Sequence, residues 1–328
     1  MKAVLCRQYG PPSTLVVAEL PSPVPGPGQV LISVQAAGVN FPDALIVQGK
    51  YQSRPELPFT PGSEVAGIVQ AVGPGVTEPL PGQSVIAFTS TGGFAEQVLV
   101  AADRTLPLPS GMDFVTASAF VVTYATSYHA LKDRAAMQPG ETLLVLGASG
   151  GVGLTAIQLG KLMGARVIAA ASSEDKLATC REHGADELIN YSHSNLRERL
   201  KELTGGLGVD VVYDPVGGDY AEPALRSLAW QGRYLVVGFA AGEIPRIALN
   251  LTLLKGSSIL GVFWGSFTRQ QPVLSQSNLA QLVRWHAQGQ LRPHVTATYP
   301  LERAADALNA VLARQVKGKL VLQLAASS

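Results

Sequence analysis

The 328-residue sequence has little cysteine, almost no excess charge and no long apolar run. Two cysteines, Cys6 and Cys180, are too few for a disulfide framework and suit a reducing compartment. The 25 basic side chains nearly equal the 24 acidic ones, so neither nucleic acid nor an anionic membrane is an expected partner. The amino terminus lacks the apolar core of a signal peptide, and no apolar run reaches the roughly 18 residues that span a bilayer. These absences predict a cytoplasmic protein.

Motifs for metal binding are absent as well. The two cysteines lie far apart and outside any C-x-x-C pair, so they do not form a zinc site. The histidines show neither of the spacings H-x-x-x-H and H-E-x-x-H, which hold zinc on a helix. They stand at His129, His183, His193, His286 and His294. We therefore predict no metal ligand.

Apolar residues make up 47% of the chain, which is ample material for a core. At this length two domains are expected. In about the first hundred residues, short apolar runs at Val30–Val34, Val65–Val72 and Ser84–Phe88 predict strands between Pro/Gly clusters. After about residue 120 strands and helices alternate, which predicts a parallel sheet with helices on both faces.

The alternating part of the chain ends before the chain does. Its predicted strands are Thr142–Leu146, Arg166–Ala170, Val209–Tyr213, Arg233–Val237 and Ser258–Val262. Helices are predicted at Val152–Met163 and, with Ser172 or Ser173 as N-cap, at Glu174–His183. Helices at 278–288 and 302–314 and a strand at 319–324 follow, in too few residues for an independent core. We expect them to complete the β-rich domain, which gives 1–122 with 267–328 for that domain and 123–266 for the other.

A glycine-rich turn, Gly147–Gly153, links a predicted strand to the helix that follows it. In this setting Gly150 and Gly151 allow backbone N–H groups to approach a diphosphate, and Gly153 allows the helix to pack closely on the strand. The positive end of the helix then faces the phosphates. A structural turn without a ligand is the alternative interpretation. We predict a dinucleotide site that includes Ser149, Gly150, Gly151 and Val152.

The end of the second strand indicates which dinucleotide is bound. NAD-binding domains usually carry Asp or Glu there, where it holds the ribose 2′-OH. Here Ala171 is followed by Ser172, Ser173 and then Lys176, with Glu174 close by. A carboxylate would repel a 2′-phosphate, whereas hydroxyls and an ammonium attract it. NADPH is therefore the predicted cofactor, with Ser172 and Lys176 near its phosphate.

Five segments occur in a characteristic order along nearly the whole chain. They are Asn40-Phe-Pro-Asp43, Gly49-Lys-Tyr51, Pro61-Gly-Ser-Glu-Val-Ala-Gly67, Gly82-Gln-Ser-Val85 and the glycine turn Gly147–Gly153. Together they resemble the zinc-independent quinone oxidoreductases of the medium-chain dehydrogenase/reductase superfamily. The resemblance implies an α/β fold class with a GroES-like β-rich catalytic domain and a Rossmann domain built on a doubly wound parallel sheet. It also implies a homodimer.

The resemblance further implies which residues contact the cofactor. It places Lys176, Tyr191 and Arg314 at the 2′-phosphate or the adenosine end. A second set is placed near the nicotinamide or its ribose: Asn40, Thr126, Gly238, Phe239, Ala240, Phe263, Trp264 and Gly265.

Zinc-dependent members of the superfamily carry residues that this chain replaces. They have Gly-His-Glu where this chain has Gly62-Ser63-Glu64, and a cysteine where it has Asn40. They also have four clustered cysteines for a structural zinc. Without zinc to polarise an alcohol, we expect hydride donation to an acceptor that is already electron-poor, such as a quinone or an α,β-unsaturated carbonyl.

Asn40 and Tyr51 are the predicted catalytic residues. Asn40 can offer an amide donor to the acceptor oxygen that gains negative charge. Tyr51 can offer a phenol that donates a hydrogen bond or a proton, although a loop aromatic that covers the core is the alternative. Asp43 is expected to be a structural hydrogen-bond acceptor rather than a general base.

The predicted function is metal-independent, NADPH-dependent reduction of quinones or activated enones by an enzyme with a small-molecule substrate. One alternative is a 2-enoyl thioester reductase, which would use the same cofactor with a longer acyl channel. Another is a non-catalytic NADPH-binding sensor or an RNA-binding protein. Near-zero net charge and the lack of a basic, aromatic-rich stretch argue against RNA binding.

Overall fold

The structure, a computed structural model, describes residues 1–324. They form two compact units, one of Met1–Val122 with the segment that begins at Pro293, the other of Thr123–Arg292. The first unit is built mainly on antiparallel strand pairs and the second on parallel ones. Each unit therefore has its own sheet and its own core.

The amino-terminal part of the chain is rich in strands because its apolar runs are short and separated by Pro/Gly turns. The strands are β1 (Lys2–Leu5), β2 (Val16–Glu19), β3 (Gln29–Val39), β4 (Glu64–Val72), β5 (Ser84–Phe88), β6 (Gln97–Ala101) and β7 (Thr105–Pro107). Helix α1 (Phe41–Val47) lies between β3 and β4, and α2 (Phe114–Ala117) follows β7.

Strands and helices alternate after α3 (Val121–Tyr128), which continues as a π-helical turn over His129–Arg134. The elements are β8 (Thr142–Leu146), α4 (Gly151–Leu162), β9 (Arg166–Ala171), α5 (Glu174–Glu182), β10 (Glu187–Asn190), α6 (Leu196–Leu203), β11 (Val209–Asp214), α7 (Ala221–Arg226), β12 (Leu228–Val236), α8 (Asn250–Lys255), β13 (Ser258–Gly261), α9 (Trp264–Gln270) and α10 (Pro272–Ala287). The chain continues with β14 (Val295–Pro300), α11 (Ala304–Leu312) and β15 (Lys319–Gln323). Among residues 1–324, no helix is both long enough and apolar enough to cross a membrane.

The sheet of the second unit has six strands in the order β10-β9-β8-β11-β12-β13, and all neighbouring strands are parallel. The central strands are apolar on both faces, as in sheets that helices cover on both sides. In β8, for example, Leu143, Leu144, Val145 and Leu146 are fully buried. The strand order reverses between β8 and β11, which is where doubly wound sheets bind their ligands.

The sheet of the first unit depends on the carboxyl-terminal segment. Its strand order is β14-β15-β3-β4-β5-β7, with β6 also paired to β3. Strand β15 runs antiparallel to β3 and places Leu320 opposite Val39. Both side chains belong to one hydrophobic cluster with Val30 and Val65, so the last strand completes a core that the first hundred residues begin.

The boundary predicted at 266/267 differs from the structure, in which the second unit continues to Arg292. Helices α9 and α10 stay with this unit because they bind the π-helical turn. Asn278 Nδ2 in α10 donates to Asp133 Oδ2 at 2.7 Å, and the Phe267 ring in α9 stacks on His129 with 3.8 Å between centroids. The end of the strand–helix alternation therefore does not mark the end of the unit.

Helix α10 and strand β10 also differ from the prediction. The helix predicted at 278–288 is the later part of α10, which begins at Pro272 because proline is favoured in the first turn of a helix. Strand β10 was not predicted, since it is four residues long and begins with a charged side chain.

Candidate functional site

The glycine turn between β8 and α4 has a backbone that requires glycine. Gly147 has a φ of +54°, and a Cβ there would lie 2.7 Å from Val216 Cγ2. A Cβ on Gly153 would lie 2.6 Å from the carbonyl oxygens of both Gly147 and Ala148. Only a residue without a side chain allows helix and turn to approach this closely.

The amino end of α4 is not capped by a side chain. Gly150 occupies the N-cap position without a side-chain hydrogen bond. The first N–H groups of a helix have no acceptor within it, and the helix dipole is positive at that end. Gly151 and Val152 are partly exposed, whereas Ser149 is buried. Backbone N–H groups, rather than the Ser149 hydroxyl, are therefore what this turn presents to an anion.

Helix α3 is fixed against the start of α4. The hydroxyl of Ser127 donates to the carbonyl oxygen of Val152 at 3.0 Å. It also lies 2.8 Å from Thr155 Oγ1 and 2.9 Å from the Tyr213 hydroxyl, in a buried network. Thr126, the preceding residue of α3, is partly exposed beside this contact.

Three predicted cofactor residues meet where β9 and β10 end. Ala171 is opposite Asn190 in the sheet, and the Tyr191 N–H donates to the Ala171 carbonyl at 3.1 Å. Lys176 Nζ donates to Ser172 Oγ at 3.1 Å. Parallel pairing therefore brings Ser172, Lys176 and Tyr191 to the same sheet edge.

Glu174, the acid nearest to this strand end, is held by another partner. Its Oε1 accepts a hydrogen bond from Asn190 Nδ2 at 2.7 Å. Ser173 is the N-cap of α5 and accepts the Lys176 N–H. The position directly after β9 thus offers hydroxyls and an ammonium rather than the carboxylate that would hold a ribose 2′-OH.

The other predicted residues of this unit follow β12 and β13. They are Gly238, Phe239, Ala240, Phe263, Trp264 and Gly265. The Ala240 N–H donates to the Pro215 carbonyl at 3.0 Å, which ties the loop after β12 to the loop after β11. Trp264 begins α9 and is buried, whereas Phe263 is 49% exposed. Because parallel strands end at one edge, both segments lie at the same edge as the glycine turn.

Asp214 was not predicted from the sequence, yet it organises the loop after β11. Its Oδ1 accepts the N–H groups of Val216 at 2.7 Å and Gly217 at 2.9 Å, and its Oδ2 accepts the Tyr234 hydroxyl. Burial raises the pKa of this carboxyl group. The sequence feature that could have revealed Asp214 is an acid at the end of an apolar strand, immediately before a Pro/Gly turn.

In the first unit, Asn40 lies in a mostly buried group of polar side chains at the start of α1. The members of this Asn40 cluster are Asn40, Asp43, Ser63, Glu64 and Lys319. Asp43 Oδ2 accepts the Asn40 backbone N–H at 2.8 Å, and Asp43 Oδ1 accepts the Ser63 hydroxyl at 3.0 Å. One carboxylate therefore connects the end of β3 with the residue that precedes β4.

Lys319 determines how the Asn40 amide is oriented. Its Nζ donates to Asn40 Oδ1 at 2.6 Å, to the Val39 carbonyl at 3.0 Å and to Glu64 Oε2 at 3.5 Å. An ammonium donates and never accepts, so the Asn40 atom that faces it must be the oxygen. The amide NH₂ is left with two long contacts of 3.4 Å, to the Gly38 carbonyl and to Glu64 Oε2.

Glu64 and Lys319 form a buried ion pair that was not predicted from the sequence. They are 0% and 5% exposed, and Glu64 Oε1 also accepts the Val122 N–H at 2.9 Å. Burial raises the pKa of Glu64 and lowers that of Lys319, and in each case the charge of the partner opposes the shift. The three acceptors around Nζ match the three hydrogens of a charged lysine.

Asp43 is the second acid near this ammonium. Burial raises its pKa to about 6, against the opposing effects of the Asn40 N–H, the Lys319 charge and the Ser63 hydrogen bond. With two carboxyl groups and one ammonium, the cluster holds one acid more than its cation balances. Asp43 therefore titrates at a pH of about 6, with burial as the main cause and the charge of Glu64 as a smaller one.

Tyr51 and Arg314 also belong to the first unit. Tyr51 is partly buried against the hydrophobic core, and burial followed by the Asp43 charge raises its pKa, which keeps the phenol protonated. Arg314 is exposed in the turn after α11 and has a φ of +56°. Of the predicted residues in this unit, only Asn40 is a member of the cluster.

Within the described part of the chain, no three His, Cys, Asp or Glu side chains come together to hold a metal ion. At the Asn40 cluster, the amide oxygen already faces the Lys319 ammonium. The donor set of this cluster does not fit zinc, because a fixed positive charge occupies the side that a cation would need.

Comparison with known proteins agrees with this architecture. Residues 26–110 match the family model described as alcohol dehydrogenase GroES-like domain, and residues 151–283 match the one described as zinc-binding dehydrogenase. A quinone oxidoreductase-like protein 2 of Bos taurus is 40% identical over 326 residues, which cover 98% of this chain and 92% of the relative. This chain therefore belongs to the quinone oxidoreductase family of the medium-chain dehydrogenase/reductase superfamily.

Solved structures extend the comparison to the fold. Quinone oxidoreductase of Escherichia coli, solved in complex with NADPH, aligns with a TM-score of 0.92 at 30% identity and covers 98% of this chain and 100% of its own. An enoyl reductase, CurK, aligns with a TM-score of 0.90 at 25% identity and covers 99% of each chain. The predicted resemblance and fold class, a GroES-like domain with a Rossmann domain, are confirmed.

The raised pKa of Asp43 predicts a pH dependence of stability. A carboxyl group whose pKa is higher in the folded state stabilises that state most below its unfolded pKa, and this contribution is lost as pH rises through about 6. Asp43→Asn mimics the protonated acid. We expect it to raise the free energy of unfolding by at most about 3 kcal/mol at pH 8 and to have little effect near pH 4.

Denaturant unfolding between pH 4 and pH 8 measures this difference. Asp103→Asn, which changes an exposed acid of the same unit, is the control and is expected to follow wild type. An Asp43→Asn protein that loses stability relative to wild type as pH rises would contradict the buried charge of Asp43.

Proposed function

We propose that the chain is an NADPH-dependent reductase of quinones and related electron-poor carbonyl compounds. The observation that carries the proposal is the uncapped glycine turn combined with Ser172 and Lys176 where a ribose-binding acid would stand. The relatives support it, since they include quinone oxidoreductases, one of which was solved with NADPH.

Residues of the second unit fit this cofactor. The N–H groups at the start of α4 would hold its diphosphate, while Ser172, Lys176 and Tyr191 would hold the 2′-phosphate and adenosine end. Thr126 and the segments 238–240 and 263–265 would lie toward the nicotinamide. Arg314 is proposed as a further contact of the 2′-phosphate or the adenosine end. When bound, NADPH supplies the hydride that reduces the acceptor.

Asn40 and Tyr51 are proposed to act on the acceptor. Because Lys319 holds Asn40 Oδ1, the NH₂ group is the part of the amide that remains to donate to an acceptor oxygen. The raised pKa of Tyr51 keeps its hydroxyl protonated, so it can donate a second hydrogen bond. Two donors on the acceptor oxygen would stabilise the negative charge that develops there.

We propose that the reaction proceeds without a metal. The support is the ammonium of Lys319 at 2.6 Å from Asn40 Oδ1, which supplies the positive charge of the cluster without an ion. An acceptor that is already electron-poor needs no Lewis acid to receive hydride. The buried, free thiols of Cys6 and Cys180 support a cytoplasmic setting for the enzyme.

Reduction of an enoyl thioester is the competing activity, since an enoyl reductase shares the fold. NADPH oxidation measured at 340 nm distinguishes the two. We expect turnover with 1,4-naphthoquinone at least about tenfold faster, as kcat/KM, than with crotonyl-CoA, because apolar quinones need no acyl channel. Turnover of crotonyl-CoA alone would favour the thioester reductase, and binding of RNA without any turnover would favour the non-catalytic alternative.

Lys176 provides a test of cofactor choice. We expect Lys176→Ala to lower kcat/KM for NADPH by about tenfold or more and to leave that for NADH within about twofold, because only NADPH carries the 2′-phosphate. Lys201→Ala, at an exposed lysine of the same unit, serves as the control. Equal losses with both cofactors would show that Lys176 does not bind the phosphate.

A homodimer is proposed from the free edge of the parallel sheet. Strand β13 is the last in that sheet, and exposed apolar side chains lie on it and near it: Trp230, Leu249, Leu253, Leu254 and Ile259. A second copy would cover them and pair with the edge. We expect Ile259→Lys to convert a dimer into a monomer in small-angle scattering. A wild-type monomer at micromolar concentration would refute the proposal.

A further inference from the structure

Reduction of a carbonyl acceptor needs a proton as well as a hydride, and this requirement follows from the proposed function. Hydride addition leaves the acceptor with a negative oxygen, which must be protonated before the product leaves. The Asn40 amide donates hydrogen bonds but does not release a proton. The pKa of Tyr51 is raised, which makes its phenol a weak acid. A more acidic group nearby would supply this proton more readily.

Asp43 has two oxygens with different partners, and this difference determines where a proton can be bound. Oδ2 accepts the Asn40 backbone N–H at 2.8 Å, and this N–H cannot act as an acceptor. A proton on the carboxyl group is therefore held on Oδ1. That oxygen is 3.0 Å from Ser63 Oγ, so a protonated Asp43 donates to the serine.

Ser63 connects this buried acid with the outside of the cluster. Asp43 is 1% exposed, whereas Ser63 is partly exposed. When Asp43 is ionised, the serine hydroxyl donates inward to Oδ1. When Asp43 is protonated, Ser63 accepts that proton and its own hydroxyl hydrogen is released to point elsewhere. Protonation of Asp43 thus turns the Ser63 hydroxyl from a donor that faces Asp43 into a donor that can face outward from the cluster.

We propose that Ser63 and Asp43 form a proton relay, in which Ser63 protonates the acceptor oxygen and Asp43 replaces the proton that Ser63 gives up. In this step the Ser63 Oγ–H bond breaks as the acceptor O–H bond forms. The Asp43 Oδ1–H bond breaks as a new Ser63 Oγ–H bond forms. The acceptor gains one hydride, with its two electrons, from NADPH and one proton. Asp43 is left as a carboxylate, which solvent protonates before the next turnover.

The charges around Asp43 agree with this role. Lys319 on β15 lowers its pKa and Glu64 on β4 raises it, while Tyr51 beyond α1 is a neutral phenol. Burial outweighs these effects and gives a pKa of about 6. An acid with this pKa both gives up and regains a proton near neutral pH. The expectation that Asp43 is only a structural acceptor is thereby replaced by a proposed role as general acid.

The pH dependence of kcat with 1,4-naphthoquinone and saturating NADPH tests the relay. We expect wild-type kcat to fall as pH rises through about 6, because only protonated Asp43 supplies the relay. Asp43→Asn keeps the hydrogen bond to Ser63 but has no acidic proton. Both Asp43→Asn and Ser63→Ala are expected to lose about a hundredfold in kcat together with this pH dependence.

Three further measurements separate proton transfer from structural damage. The KM for NADPH is expected to stay within about twofold in both variants, since neither residue is among those proposed to hold the cofactor phosphates. Ser63→Thr retains a hydroxyl and is expected to restore most of kcat. Ser118→Ala, which removes a hydroxyl that bonds the Val115 carbonyl at 3.0 Å, is expected to behave as wild type.

Two results would overturn the relay. If Ser63→Ala or Asp43→Asn retains wild-type kcat with the wild-type pH profile, protons reach the acceptor by another path. If Ser63→Thr is as impaired as Ser63→Ala, the hydroxyl is not what the step requires. A wild-type enzyme that reduces no quinone and no enone would instead refute the proposed function itself.

Discussion

The arrangement of the first unit depends on the hydrogen bonds and the ion pair that the buried ammonium of Lys319 makes. Removing a lysine and a glutamate from water is costly, and the cost is offset only where their remaining hydrogen-bonding groups are satisfied. Here Nζ has three acceptors on β3, on Asn40 and on Glu64 of β4, while Glu64 also accepts a backbone N–H. The charge therefore ties the last strand of the chain to the two strands beside it. It also fixes which end of the Asn40 amide is available to a substrate.

Parallel pairing has the corresponding role in the second unit. All six strands end at one edge of the sheet, so residues that follow different strands meet there without any direct sequence relation. The glycine turn follows β8, Ser172 follows β9 and Tyr191 follows β10. The chain places backbone N–H groups, hydroxyls and an ammonium at this edge, and the nearest acid, Glu174, is engaged by Asn190. An anionic ligand is favoured by each of these features.

Features that depend on a local run of residues could be predicted from the sequence, whereas features that depend on distant partners could not. The central strand β8 was predicted with its observed bounds, because a short apolar run between glycine turns admits few other structures. Asp214 was missed because its partners, Tyr234 and the N–H groups of the following loop, come together only in the folded sheet. Helices α9 and α10 were assigned to the wrong unit because their contacts with the π-helical turn leave no local pattern. The predicted cofactor residues are now placed at observed positions, but their contact with NADPH stays a prediction.

The sequence by itself determined the glycine turn between a strand and a helix, the prediction of NADPH as the cofactor, and the family. The turn and the cofactor prediction depend on residues that are neighbours along the chain, where the chemistry of a strand, a turn and a helix start is encoded within about thirty residues. The family depends on the order of five short segments, each of which is local in sequence. Only the tertiary structure decided that Lys319 holds Asn40, across 279 positions of sequence, and that Asp43 faces Ser63 rather than water. Such pairs result from the register between β15 and β3 and from the close approach of α1 to the start of β4. Long-range pairing of this kind follows from packing of the whole unit, which no local run of residues specifies.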